Sequence, residues 1–380
     1  MKITELRVRG YRSLKDVSWR PGDLNVLIGP NGGGKSNLLR VLQLLQAAAD
    51  GRLAKWVQRE GGIVPMVWDG KATGIEMILG ASTAVSVTNG ADRSTRSYHL
   101  RIDRTPAGRF GIAEEQLSPA LHAESATLMV PTDGALQRET TLSSAGSLPG
   151  ADPVLGRFRE WMRGWGMHHD FRTDAESPPR RGAVSQYETR LEPAGDNLVS
   201  VLHTLYTESR RFRQDMDDAM SAAFGGDFGE LLFPPEADQR VQLRVRWKSM
   251  ERAQSAADLS DGTIRFLHLL AILANPDPPP LIAIDEPETG LHPTMQHIIA
   301  EFAAEAAGRT QVVLTTHSPE FLDCFEDTVP TTTVVEWQEG QGTTLRSLSG
   351  EALAEWVKHF SLGEIIRTGE AAIIESEEEG

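Results

Sequence analysis

A short apolar run, residues 24–28, leads directly into Gly29-Pro30-Asn31-Gly32-Gly33-Gly34-Lys35-Ser36, and a leucine-dense stretch, residues 37–49, follows without a break. This order is buried strand, glycine-rich loop, helix, and the loop matches G-x-x-x-x-G-K-[ST] at every position. Few folds accommodate it. The glycines let backbone N–H groups converge on an anion at the helix N-terminus. Lys35 places a point charge at the β- and γ-phosphates of a nucleotide, Ser36 offers a hydroxyl to magnesium, and Asn37 opens the helix. The expected ligand set is therefore ATP with Mg2+, on an α/β scaffold.

The rest of the chain alternates in the same manner. Residues 3–8 and 14–19 read as two strands joined by a turn, and residues 75–78, 98–102 and 110–113 as short strands of an antiparallel meander. Residues 198–224 read as helical and 241–247 as a strand. Further on come a helix at 263–274, a buried strand at 281–284, a helix at 295–307 and a buried strand at 311–315. The strand at 281–284 runs into Asp285 and Glu286. Adjacent acids at the end of a buried strand suit Walker B chemistry, with Asp285 in the magnesium shell and Glu286 orienting or deprotonating the attacking water.

Four further elements carry a family resemblance. Asp258-Leu259-Ser260-Asp261-Gly262-Thr263, ahead of an apolar helix, resembles the signature loop of ABC-type ATPases. His317 resembles their switch histidine, and Glu288-Thr289-Gly290-Leu291-His292-Pro293 resembles the loop after Walker B in RecF- and SMC-like ATPases. Tyr11-Arg12-Ser13 is similar to the aromatic-Arg-Ser element near the nucleotide in RecF-like proteins, which implies a nucleotide contact for Arg12. The nearest group is the bacterial stand-alone predicted ATPases related to RecF and to the ATPase half of OLD-family nucleases.

That resemblance implies an ABC-type P-loop NTPase head with a β-rich first lobe and a mixed α/β middle insertion. Residues 1–115 would form the N-terminal ATPase lobe, 116–250 the middle insertion, 251–350 the C-terminal lobe, and 351–380 a C-terminal helix and acidic tail. It also implies a homodimer closed as an ATP sandwich, in which Ser260 and Gly262 of one subunit meet the γ-phosphate held by Lys35 and Ser36 of the other. His317 would contact that phosphate. No residue stands out as the Q-loop glutamine that the resemblance implies; Gln58 and Gln116 are candidates by position alone.

The implied role is an ATP-dependent dimerisation switch in DNA repair or maintenance, or in anti-phage defence. An alternative is an ATPase component that regulates a separate effector, such as a nuclease, without touching DNA. A nuclease domain within this chain is disfavoured, because only 63 residues follow His317. In the signature, Asp261 stands for the first glycine of the transporter form LSGGQ and Thr263 for its glutamine, which disfavours a transporter subunit. Scattered prolines and glycines in place of heptads disfavour SMC-type coiled coils.

Composition narrows the partners. With 38 basic against 53 acidic residues the net charge is −15, opposite in sign to a generic nucleic-acid binder, so direct DNA contact would need a local basic surface. Arg180, Arg181 and Arg190, or Arg210, Arg211 and Arg213, are the candidates, each otherwise a solvated face. The N-terminus lacks a signal-peptide core, no segment reaches membrane-spanning length, and the single cysteine, Cys324, suits a reducing cytoplasm as a small core side chain. His168-His169-Asp170 lacks further ligands for a metal, and Trp161 and Trp165 have the spacing of a helical core pair.

Overall fold

The computed structural model describes residues 1–85, 92–106, 108–118, 128–129, 137–145, 153–236, 238–325 and 328–348. The expected C-terminal helix and acidic tail, residues 351–380, lie outside the described residues. The described residues divide into two compact units, one within residues 1–165 with 331–348 and the other within 166–330.

In the first unit, β1 (Lys2–Tyr11) and β2 (Leu14–Trp19) form a hairpin in which Leu6 faces Trp19 and Tyr11 faces Leu14. Ile3, Leu6, Val8 and Tyr11 are buried while Arg9 is exposed. Next in sequence are β3 (Leu24–Ile28), α1 (Lys35–Ala49) and α2 (Leu53–Arg59). β4 (Gly74–Val85), β5 (Asp92–Arg104) and β6 (Phe110–Ser118) extend the sheet in the order β2-β1-β4-β5-β6. These last three strands run well past the expected 75–78, 98–102 and 110–113. Backbone pairing continues through polar positions such as Ser82 opposite Thr95, where no apolar alternation marks a strand.

All five residues of β3 are buried, as a strand covered on both faces requires. Its partner comes from the far end of the chain: Thr331–Gln338 pairs with it in parallel, Val334 opposite Ile28, and turns back antiparallel as Gly342–Leu348. The helix Pro153–Arg163 buries Leu155, Phe158, Trp161 and Met162. Trp161 and Trp165 meet edge to face at 5.2 Å, so that pair is core packing.

In the second unit, the strand Leu281–Asp285 is flanked in parallel by Gln311–Thr316 and Gly166–His168. The helices Asp261–Leu273 and Pro293–Ala307 pack against each other, and the first is buried at ten of its thirteen positions. Residues 198–224 form two helices, Leu198–Glu208 and Arg210–Phe224. Ser209 breaks them: its backbone is extended, and its hydroxyl accepts from Phe212 N at 3.2 Å as the cap of the second helix. The expected strand at 241–247 also divides, into Arg240–Val241 and Arg244–Trp247 of two small antiparallel sheets. Among the described residues no helix is long and apolar enough to cross a membrane.

Candidate functional site

The glycine-rich loop of the first unit lies against the backbone of the strand Thr331–Gln338. A Cβ on Gly29 would sit 2.0 Å from the Val335 carbonyl oxygen and one on Gly33 2.6 Å from the same atom, so neither position accepts a side chain. Gly34 enters α1 at φ 114°, a left-handed conformation that favours glycine. No side chain caps this helix and its first turn carries no acid. The leading N–H groups therefore present their partial positive charge toward the loop.

Lys35 is buried, and its ammonium donates to Gly29 O at 2.6 Å and Pro30 O at 3.1 Å. Pro30, Asn31, Gly32 and Ser36 are exposed along the rim. The residues present fit a polyphosphate: a glycine loop packed so closely on the Val335 backbone that Gly29 and Gly33 admit no side chain, a helix N-terminus without a side-chain cap, and a buried cation beside it.

Two residues outside the motif hold the loop. The Thr343 hydroxyl lies 2.9 Å from Gly33 O and 2.7 Å from Ser13 Oγ, and Asn37 Nδ2 donates to Ser13 Oγ at 2.8 Å. A carbonyl only accepts, so the one proton of Thr343 goes to Gly33 and the Ser13 proton goes to Thr343. Arg12 adopts φ 46°, and its backbone N donates to Met66 O at 2.8 Å. Its guanidinium pairs with Glu60, which also receives Arg40 at 3.1 Å. Within the Tyr11-Arg12-Ser13 element it is thus Ser13 that links Thr343 to Asn37, the residue that follows the loop. Gln58 is exposed on α2 and Gln116 lies on β6.

In the second unit the two acids close the strand Leu281–Asp285. Asp285 accepts from the Thr315 hydroxyl on the neighbouring strand. Glu286 sits at φ 48°, left-handed for a residue with a Cβ and a strained conformation. Its N–H points to Thr315 O at 3.2 Å and Thr315 Oγ1 at 3.1 Å, and its carbonyl receives Arg265 Nη2 at 2.7 Å. Held this way, its carboxylate meets His317 Nδ1 at 3.0 Å. Glu288 is buried with Thr316 Oγ1 donating at 2.5 Å, and burial pushes its carboxyl above the usual range. Arg265 stacks over Phe171 at 5.3 Å, and burial lowers its guanidinium against the pull of Glu288 and Glu286.

Ser260 caps the helix Asp261–Leu273, its hydroxyl accepting from Thr263 N at 3.1 Å. Gly262 is required by close approach, since a Cβ there would sit 2.7 Å from Gly290 O in the loop after the two acids. The signature turn and residues 285–290 therefore form one packed cluster, with His317 joined through Glu286. Thr315, Arg265 and Thr343 escaped the sequence reading. Thr315 alone carried a signal, since parallel pairing of the two apolar strands sets it opposite Asp285.

Other sequence candidates resolve differently. Arg180 is buried and bonded to backbone, so it belongs to no basic surface. Arg181 pairs with Glu176 and Arg190 with Asp277, while Arg211 pairs with Glu305 and Arg213 lies over Tyr206. His168 is buried and stacks on Phe171 at 6.0 Å, whereas His169 is exposed. No group of three metal-ligating side chains occurs among the described residues. Cys324 is buried, its thiol donating to Glu320 O.

Comparison with known proteins places the chain. The family model described as "AAA domain, putative AbiEii toxin, Type IV TA system" matches residues 90–323, and that described as "AAA ATPase domain" matches residues 1–71. No curated protein matches the chain. Solved structures share its fold, among them two Smc heads. One is a crystal structure of the SmcHead bound to the C-winged helix domain of ScpA, 13% identical over 93% of this chain and 100% of that one, TM-score 0.57. The other is an Smc head domain with an extended coiled coil bound to the C-terminal domain of ScpA derived from Pyrococcus furiosus, 13% identical over 94% and 98%, TM-score 0.56. With its phosphate loop, its paired acids and more than half its length matched, the chain belongs to the family of AAA ATPase domains described as AbiEii-like, on the ABC-type, SMC-head α/β fold.

Proposed function

We propose that the chain binds MgATP and hydrolyses it as an ATP-dependent dimerisation switch. The observation that carries this reading is Glu286, held at φ 48° beside Asp285 with its carboxylate 3.0 Å from His317 Nδ1. Strain of this kind persists only where surrounding bonds over-determine it, and it concentrates at reactive positions. Glu286 takes the proton of the attacking water, and His317 orients that carboxylate. Lys35 and the N–H groups of residues 31–36 bind the phosphates, and Ser36 and Asp285 are the residues that would hold magnesium. Magnesium, when bound, supplies neutralisation of charge on the transferred phosphoryl group.

In the switch, Ser260 and Gly262 of one subunit close on the nucleotide of a second, so hydrolysis needs two copies. This assembly rests on the ABC-type resemblance. The biological destination is DNA maintenance or defence in the cytoplasm, and the family description, naming a toxin of a TA system, favours defence. A second reading is that the switch regulates a separate effector without touching DNA. It is favoured by the net charge of −15 and by the engagement of Arg180, Arg181, Arg190 and Arg211 with partners of their own chain.

The test is ATP turnover per subunit across a wide range of protein concentration, with and without duplex DNA, against Glu286→Gln. Turnover that rises with concentration and disappears in the variant supports the switch, and stimulation by DNA favours maintenance over a separate effector. Turnover that survives in Glu286→Gln refutes the assigned role of this residue.

A further inference from the structure

Arg180 ends the short turn Pro178–Arg180, and its side chain is 7% exposed. A guanidinium taken out of water needs every donor met. Here Nε donates to Thr173 O at 2.8 Å, and Nη1 faces Leu259 O at 2.6 Å, Ala257 O at 3.2 Å and Ala256 O at 3.3 Å. Nη2 pairs with the Asp261 carboxylate. The three carbonyls met by Nη1 belong to the segment that enters Ser260, the cap of the helix Asp261–Leu273. One side chain from a sequence-distant turn therefore fixes the direction from which that helix begins.

The partner acid is the unusual feature. Asp261 occupies the position where a glycine stands in the transporter signature, and its side chain is 69% exposed between Ser260 and Gly262. An acid in a first helical turn is ordinarily stabilising. On a turn meant to receive phosphates the same negative charge repels the ligand.

We infer that Arg180 is a positioning residue for the signature turn: it pins the entry to the helix and neutralises Asp261, making an acid-bearing turn competent to close on a nucleotide. This inference rests on the sandwich reading of the proposed function. A purely structural arginine would hold the loop equally well whether residue 261 were charged or neutral. A charge-compensating one matters less once the acid is gone.

The test is a double-mutant cycle in the full-length chain: Arg180→Met, Asp261→Asn and the pair. Turnover is measured for each, along with binding of a fluorescent ATP analogue at low protein concentration. ATP-dependent association is followed by light scattering, with Glu286→Gln added to prevent turnover. Arg180→Met is expected to lower kcat and association by about tenfold, the scale of one lost charged hydrogen bond, with the analogue's Kd within about twofold of wild type. Asp261→Asn is expected to restore at least about threefold of that loss, leaving the part due to the carbonyl contacts. If Arg180→Met is not folded by far-UV circular dichroism, Arg180→Lys, which keeps the charge but not the three-carbonyl contact, takes its place and is expected to lose less.

Equal losses from Arg180→Met with and without Asp261→Asn, or wild-type association in Arg180→Met, overturn the inference and leave the proposed function standing. A wild-type protein that neither turns over ATP nor associates with it overturns the proposed function, and the inference with it.

Discussion

Thr343→Val isolates the support beneath the phosphate loop. Thr343 is 1% exposed, and its backbone N donates to Ser13 O at 2.8 Å, a bond that valine keeps. The substitution conserves shape and removes only the hydroxyl, which donates to Gly33 O at 2.9 Å and neighbours Ser13 Oγ at 2.7 Å. A buried group left without its partner costs about 1–3 kcal/mol. Ser13 can rotate to another acceptor, but the Gly33 carbonyl cannot leave the loop, so the expected cost is about 2 kcal/mol, or roughly 30-fold. If the loop relaxes, the cost appears as a weaker Kd for a fluorescent ATP analogue, because fewer molecules hold the binding geometry. If the loop holds, it appears as a lower urea midpoint. The two losses together should reach about 2 kcal/mol, and Thr343→Ser should lose less than about half of that. Affinity and midpoint both within about 0.5 kcal/mol of wild type in Thr343→Val would refute the reasoning.

Two further predictions concern the second unit. Burial lowers His168 and His268 to about 4 from the ordinary value of 6.5, so above pH 6.5 both are neutral folded or unfolded. Between pH 6.5 and 4 the unfolded chain takes up protons that the native state refuses; stability should therefore fall as the solution is acidified, by up to about 1.4 kcal/mol per pH unit for each histidine. Urea midpoints at pH 7, 6 and 5 measure this, and a flat profile would contradict it. At φ 48°, Glu286→Asn should leave the midpoint near wild type, because asparagine tolerates left-handed backbone, whereas Glu286→Val should lose about 1–2 kcal/mol. A valine variant as stable as the asparagine one would remove the case for strain.

Much of the site was legible because its chemistry is contiguous. Eight adjacent residues, 29–36, contain the whole glycine-rich loop, and the strand before them and helix after them are written in their own apolar pattern. The same holds for Leu281–Asp285 with Glu286. Less legible were elements whose limits are set by pairing. β4 and β5 continue through polar residues, and residues 198–224 divide at a serine whose capping role depends on the local backbone. Arg180 looked like a surface cation because periodicity carries no information about what a turn folds against.

By itself, then, the sequence determined the α/β class and the glycine-rich loop between a buried strand and a helix, together with the two acids that end a second buried strand, all of which depend on neighbours a few residues apart. Only the tertiary structure decided what supports them. Thr343 reaches Gly33 across 310 positions, Arg180 reaches Leu259 across 79, and Arg265 reaches the Glu286 carbonyl across 21. Such contacts follow from how strands pair and helices pack in space, and no spacing along the chain encodes them. They are also where the strain of Glu286 and the charge of Asp261 find the bonds that hold them.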